Sequence, residues 1–189
     1  MTVAVPRHHR SRKRPVARES LRRGFTLIEL MVTVAILAIL ATVAAPSFNE
    51  AILSNKLASY ANNFVASATL ARSEAIKRNA TVRMCRSADG ANCATSGGWQ
   101  QGWIVFHDVN GDGSVDAGET VIQYQQAISS GYQLTGDAYS LAFQSVGAGS
   151  TPASLVLCRL SPVGSQERTI TLSATGRTSV RTERTGVCS

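Results

Sequence analysis

Apolar and polar positions divide the chain into three stretches. Residues 1–24 scatter a few apolar side chains among arginines. Residues 25–45, FTLIELMVTVAILAILATVAA, are apolar almost without interruption. Such a run forms a helix long enough to cross a hydrocarbon core of about 30 Å. Beyond Pro46 the helical spacing resumes with a different character. Phe48, Ile52, Leu53, Leu57, Tyr60, Ala61, Phe64, Ala68, Ala71, Ala75 and Ile76 recur at steps of three and four. That is one apolar stripe on an amphipathic helix. Asn49, Glu50, Asn55, Lys56, Asn62, Asn63, Arg72 and Lys77 occupy the other face. The spacing predicts one helix over 25–78, roughly 80 Å long at 1.5 Å per residue. Pro46 would kink it rather than end it. No compact domain of this size needs such a rod, so its first half must serve a membrane or an assembly.

After Asn79 the period shortens. Alternating or β-branched runs stand between clusters of Gly, Ser, Asn and Asp. Strands are predicted at 81–86, 102–107, 120–125, 139–144, 154–159, 168–173 and 176–182. The fold class expected is α+β: a long N-terminal helix, transmembrane in its first half, packed on a small antiparallel sheet or sandwich. The expected organisation is a basic leader over 1–24, a membrane and assembly helix over 25–46, its amphipathic continuation over 47–79, and a β-rich head over 80–189.

Charge changes this picture at one end. The formal net charge is +7, which alone would point to nucleic acid or a membrane surface. Residues 1–24 hold eight basic side chains against Glu19, so they carry the whole excess. The remainder has 11 basic and 11 acidic side chains. The high pI therefore describes a leader and makes no case for the head. Basic residues before the span keep the leader cytoplasmic and send the C-terminal part outward.

The four cysteines, Cys85, Cys93, Cys158 and Cys188, show no C-x-x-C spacing. A zinc ribbon or thioredoxin-type site is thereby disfavoured. Four cysteines allow three pairings. Cys85–Cys93 with Cys158–Cys188 is the favoured set, because each pair brackets one segment of an exported domain.

Glu29 needs a reason to be where it is. A carboxylate costs on the order of 2.5–3.5 kcal/mol at the centre of a membrane helix. Near the helix start the macrodipole reduces that cost. Cleavage between Gly24 and Phe25 would create an α-amine four residues before it, able to pair with a carboxylate of a neighbouring subunit. Here Gly24-Phe25-Thr26-Leu27-Ile28-Glu29-Leu30 resembles the class III signal of type IV pilins and type II secretion pseudopilins, and Pro46 fits as well. The resemblance implies a prepilin peptidase that cuts after Gly24, N-methylation of Phe25, and a docking role for Glu29. Arg22-Arg23 imitates a twin-arginine signal, but such a signal has no use for Glu29. Val43-Ala44-Ala45 imitates a signal peptidase site, but the apolar run is too long for a secretory signal.

Further motifs narrow the resemblance. Ala71-Arg72-Ser73-Glu74-Ala75, then Gly98-Trp99 and Gly102-Trp103-Ile104-Val105-Phe106 with Asp108, are similar to the FimT/GspH minor pilin group. Cys85 with Cys93 and the late Gly176-Arg177 also fit. Membership implies a low-abundance subunit near a filament tip. It is first a single-pass inner-membrane protein with a periplasmic head, and later part of a pilus or pseudopilus. The implied partners are major and minor pilins, the prepilin peptidase and the inner-membrane assembly platform. The alternative function is a minor pseudopilin of type II secretion.

Two further constellations carry candidate chemistry. Asp108, Asn110, Asp112, Ser114, Asp116 and Glu119 occupy an EF-hand spacing, with Gly113 at the sharp turn. That pattern points alternate oxygens at calcium. Strands flank it instead of helices, so a polar hairpin loop with Asx turns is the competing reading. Near the end, Arg168, Arg177, Arg181 and Arg184 gather positive charge. On a strand Arg177 and Arg181 share a face, roughly 13 Å apart at ~3.3 Å per residue. Some FimT-like pilins resembling this chain are DNA receptors that use Gly-Arg-x-Arg. Here Gly176-Arg177-Thr178-Ser179 lacks the second arginine, which Arg181 would replace. Double-stranded DNA is the partner this implies, through Arg177, Arg181 and Arg184. A charged edge strand that discourages sheet pairing is the other reading. Trp99 and Trp103 read as core. His107 is the single histidine beyond the leader, and no nucleophile or phosphate-loop motif appears, so no enzyme is expected and no cofactor is required.

Overall fold

The computed structural model describes residues 24–146, 150–161, 166–183 and 188. Leader residues 1–23 and Arg184 lie outside the described residues. The chain forms two compact units that meet between Val43 and Ala44. Helix α1, Leu27–Arg78, begins in the first unit and ends in the second, with Pro46 inside it.

In the first unit every described residue is exposed, including Ile28, Met31, Leu37 and Val43. An 18-residue window of mean hydropathy 2.5 makes the helix long and apolar enough to cross a membrane. Among the described residues nothing covers this surface, an apolar area larger than water-exposed surfaces carry without a partner or a membrane.

The second unit holds the core. Leu53, Leu57, Ala61, Phe64, Ser67, Ala68, Ala71 and Ala75 form the buried face of α1. Small residues dominate its second half, which lets the strands approach closely. Phe48, Ile52 and Ile76, expected on the same stripe, are more than half exposed. Ile52 and Ile76 sit one residue from Leu53 and Ala75, about 100° around the helix, and Phe48 lies more than a turn before the first buried position. The helix ends in a Schellman arrangement. Asn79 takes φ 49°, its N–H reaches Ile76 O at 3.3 Å, and Ala80 N reaches Ala75 O at 3.2 Å.

Among the described residues eight strands follow: β1 Val82–Arg86, β2 Gly102–His107, β3 Val121–Gln126, β4 Tyr132–Gly136, β5 Ser140–Phe143, β6 Ala153–Arg159, β7 Glu167–Leu172 and β8 Thr178–Glu183. They make two four-stranded sheets, β3-β2-β1-β5 and β4-β6-β7-β8. Every described pairing is antiparallel. Phe64 stands edge-on to Trp99 and Trp103, with ring centroids 5.2 and 5.4 Å away. Both tryptophans are buried, and Trp99 Nε1 donates to Ala138 O at 2.9 Å. Gly102 takes φ 108°, and a Cβ there would lie 2.6 Å from Gln125 O and 2.9 Å from Ser87 O. Glycine is the residue that lets β2 start so close to its neighbours.

Strand β4 has no counterpart among the predicted strands. Tyr132 and Leu134 give it a minimal alternation, and glycines stand on both sides. Tertiary contacts hold it. Tyr132 packs edge-on against Tyr60 of α1 at 5.3 Å, and Tyr60 Oη donates to Ser129 Oγ at 2.7 Å. Sheet contact therefore overrides a weak local preference.

The outer face of the first sheet carries a smaller core. Cys85, Ile104 and Phe106 are buried there against Cys93, Val115 and Val121. Two connections cover it: the segment closed by the Cys85–Cys93 disulfide, and the acidic segment between β2 and β3. A second disulfide joins Cys158 of β6 to Cys188.

Candidate functional site

Three places hold the residues singled out by the sequence. At the first, Gly24, Phe25, Thr26 and Glu29 line one open cleft of about 550 Å³. Thr26 immediately precedes α1 and acts as its N-cap. Glu29 N donates to Thr26 Oγ1 at 3.3 Å, and Leu30 N to Thr26 O at 3.2 Å. Thr26-x-x-Glu29 is the spacing of a capping box. Glu29 thus stands in the first turn, where the helix dipole favours an anion. The helix predicted from residue 25 starts at Leu27, and the Thr26 hydroxyl, a signal the sequence reading did not use, explains that start.

At the second place, the acidic loop connects β2 and β3, as a strand-flanked segment. Its polar atoms serve one another. Asp108 is buried. Its Oδ2 accepts from Arg83 Nε at 2.7 Å, and its Oδ1 from Gly111 N at 2.9 Å. Arg83, in β1, also reaches Ser140 Oγ at 3.4 Å. Glu119 accepts from Val109 N and Asp116 N, at 2.7 and 3.2 Å. Asn110 Oδ1 accepts from Asp112 N at 3.0 Å. That bond turns the Asn110 amide nitrogen toward Asp112 and Asp116, at 3.0 and 2.9 Å. Ser114 N donates to Asp112, holding that carboxyl below its usual range, with Asn110 adding to the effect.

A calcium cage needs carboxylates converging on one point with free lone pairs. Among the described residues no group of three or more His, Cys, Asp or Glu side chains is placed to hold a metal ion. Asp108 and Glu119 spend their oxygens on Arg83 and backbone N–H groups, and an amide N–H points to the loop centre. In this arrangement the residues do not fit a calcium ion. Arg83 supplies a counter-charge that the sequence reading missed. Its alternation with Met84 in β1, which puts it on the outer face, was the available signal.

At the third place stand the C-terminal arginines. The structure separates them. Arg168 of β7 is 8% exposed and points inward. Its Nη2 donates to Ser54 Oγ at 3.0 Å and its Nη1 to Gln166 O at 3.3 Å. It fastens β7 to α1 and contributes no surface charge. Arg177 and Arg181 are exposed. Arg177 closes the β7–β8 turn: its N donates to Ser173 Oγ at 3.1 Å and its O accepts from Ser173 N at 2.9 Å. With Thr171, Leu172, Ser173 and Ser179 it lines a groove of about 330 Å³. In register, Ser179 faces Thr171 and Arg181 faces Thr169, so Ser179 and Arg181 point to the same outer side. β8 is the edge of its sheet, paired to β7 alone among the described strands. Among the described residues neither Arg177 nor Arg181 has an acidic partner within salt-bridge distance.

The family described as "Type II transport protein GspH" matches residues 60–176, and the "Prokaryotic N-terminal methylation motif" matches residues 20–45. The pilin-like protein PilA1 of Thermus thermophilus is 35% identical over 100 residues, 52% of this chain and 56% of that protein. The type IV major fimbrial protein FimA of Dichelobacter nodosus is 30% identical over 90 residues, 48% of each chain. The chain thus matches about half the length of these two relatives. Two crystal structures of the type IV minor pilin FimU of Pseudomonas aeruginosa match with TM-scores of 0.51 and 0.53, at 18% and 19% identity. They cover 66% and 67% of this chain, and 92% and 89% of their own. At that identity the likeness speaks for the fold: a long apolar helix with small antiparallel sheets. Pilins and pseudopilins are structural subunits. The methylation motif and the apolar helix fit a single-pass membrane protein that later joins a filament. This chain belongs to the GspH family of type IV pilin-like minor pilins and pseudopilins.

Proposed function

We propose that the chain is a minor pilin that primes or caps a type IV pilus, and that its head holds double-stranded extracellular DNA through Arg177 and Arg181. The observation that carries the DNA reading is the charge on the β8 edge. Arg177 lines a groove with hydroxyls, Arg181 points to the same outer side as Ser179 of that groove, and neither arginine has an acidic partner among the described residues. Such cations attract phosphate backbones without regard to sequence. Each phosphate contact adds about −0.9 to the logarithmic salt slope. Two or three contacts give weak binding that high salt abolishes.

Assembly follows from the other end. The prepilin peptidase cuts between Gly24 and Phe25 on the cytoplasmic side, and the new Phe25 amine is methylated. Glu29 of one subunit then pairs with the amine of its neighbour in the apolar filament core. Major and minor pilins and the inner-membrane platform are the partners. The head folds in the periplasm, where its cysteines can pair.

A gel shift with the head tests DNA binding. The unmutated head retards a short duplex at low salt, and Arg177→Ala with Arg181→Ala does not. No retardation by the unmutated head would sink the receptor role. The second reading, a minor pseudopilin of type II secretion, draws support from the family's own description. Deleting the gene separates the two. Loss of surface filaments marks the pilus, and retained secretion substrates mark the secretion system.

A further inference from the structure

A sheet edge exposes unpaired N–H and C=O groups, and folded proteins cover or deform their edges to stop other chains pairing there. The edges at β3, β4 and β5 are blunted in this way. Along β5, Thr151 closes both groups of Ala142: its N–H donates to Ala142 O at 3.0 Å, and its Oγ1 accepts from Ala142 N at 3.1 Å. Along β4, Gln100 Oε1 accepts from Leu134 N at 3.4 Å. Strand β3 carries a bulge at Ile122, since Val105 faces Gln123 while Phe106 faces Val121. A bulge bends an edge away from a flat pairing surface. Strand β8 has none of these devices. Its register against β7 runs without a break from Thr178 to Glu183, and among the described strands nothing is paired to its outer side.

The alternation of the ladder fixes which groups of β8 are free. Ser173 N donates to Arg177 O at 2.9 Å, and bonded pairs recur at every second residue of an antiparallel ladder. Ser179 and Arg181 therefore bond back to β7, while Thr178, Val180 and Thr182 turn their N–H and C=O groups outward. Side chains alternate as well. Val180 stands opposite buried Ile170, whereas Ser179, Arg181 and Glu183 stand on the outer side with Arg177. Val180 is exposed although apolar. Glu183, like Arg177 and Arg181, has no partner of opposite charge within salt-bridge distance among the described residues.

A second copy of β8 fits this edge in one register. About a two-fold axis at Val180, an antiparallel pair sets Val180 against Val180, Thr178 against Thr182 and Ser179 against Arg181. The outward groups of Thr178, Val180 and Thr182 then form about six backbone hydrogen bonds. Arg177 falls opposite Glu183 at both ends, within reach of an ion pair. An axis at Ser179 would set Arg177 against Arg181, and an axis at Arg181 would set that arginine against itself. Like charges directly opposite one another oppose pairing. An axis at Thr178 or Thr182 runs out of strand. We infer that β8 is a self-pairing edge, through which two copies of this chain join their β4-β6-β7-β8 sheets into one. The arginines that repel an unrelated strand are matched in this register, so the edge resists general aggregation and admits its own sequence. The pairing is independent of DNA binding and is read without nucleic acid.

All buried core residues lie at Leu53 or beyond, so a head beginning at Ala44 keeps the whole core. Sedimentation equilibrium of the head is read from about 1 μM to about 1 mM, the range of a small reversible interface. The unmutated head is expected to pass from monomer to dimer. Glu183→Arg and Arg177→Glu each set like charges opposite one another twice per dimer, and each is expected to weaken association about tenfold. Arg177→Glu with Glu183→Arg rebuilds the pair and returns the affinity to within about threefold of the original. Val180→Pro removes an outward N–H that the β7 ladder does not use, and is expected to abolish the dimer. Melting curves check that each variant is folded, and the exposed charge reversals carry the comparison if Val180→Pro is not. A head that stays monomeric over the whole range overturns the inference and leaves the edge to a chain of another kind. A dimer that the single reversals or a folded Val180→Pro leave unchanged, or that the double reversal does not restore, is built on another contact and overturns it as well.

Discussion

Two connections of the head, the acidic loop and the β7–β8 turn, are built in opposite ways. The acidic loop between β2 and β3 is long, and its polar groups are closed on one another. Arg83 neutralises Asp108, and backbone N–H groups fill Glu119. The β7–β8 turn is short, and the cations at it and along β8 are left open. Arg177 and Arg181 face solvent, and Arg72 lies beneath with a buried, unpaired Nε. The richer motif is the one closed on itself. A cluster of charges points to a ligand when the fold leaves it uncompensated, and density along the sequence does not report that.

The largest effect expected is on the closed side. Asp108→Ala would strand Arg83 with its charge partly buried, and breaking a buried pair costs about 3 kcal/mol. Urea unfolding of the head reads it, and a loss under about 0.5 kcal/mol would show the loop to be as open as the turn. Next comes Gly176→Ala. It forces a Cβ into a left-handed conformation beside Ser150 Oγ, at about 1–2 kcal/mol. Unlike Asp108→Ala it should weaken DNA binding along with stability. Arg177→Ala with Arg181→Ala sits at the other extreme. Stability stays within about 0.5 kcal/mol, because the side chains are exposed, while duplex affinity falls.

Acidity sharpens the same contrast with a smaller signal. Asp112 is held below its unfolded value of 3.8, chiefly by the Ser114 N–H. A depressed carboxyl contributes stability that is fully present above its unfolded pKa and lost as the pH falls through the folded one. Asp89 behaves alike, held down first by the Asn92 side chain. Denaturant midpoints should therefore drop below about pH 4 and stay level above it. DNA binding carried by arginines alone should not weaken over that higher range. The smallest effect is expected from calcium. Millimolar calcium should move the melting temperature of the head by less than about 1 °C. A larger rise would mean that the loop reopens to take an ion.

Periodicity made the large elements legible. The helix shows in the three- and four-residue steps from Leu53 to Ala75, and most strands in alternation between turn residues. β4 escaped because Tyr132 and Leu134 are its whole signal, and its stability comes from Tyr60 across the core. The same limit applies to charge. The spacing of Asp108 to Glu119 is visible in one dimension, but Arg83 enters from another strand. Arg168 and Arg177 look alike in sequence, and one residue of strand alternation turns Arg168 onto Ser54 and out of solvent. Arg72 and Gly176, where an added Cβ would lie 3.3 Å from Arg72 Cδ, have no local signal that they meet.

Thr26 has a consequence for the proposed processing step. By capping α1 it leaves Gly24 and Phe25 outside the helical ladder. Proteolysis requires a reachable, extended backbone, and a bond inside a helix is available only in the fraction of molecules whose end has frayed. That fraction multiplies the apparent affinity of any peptidase. With the cap placed after the bond, the competent state is the ground state.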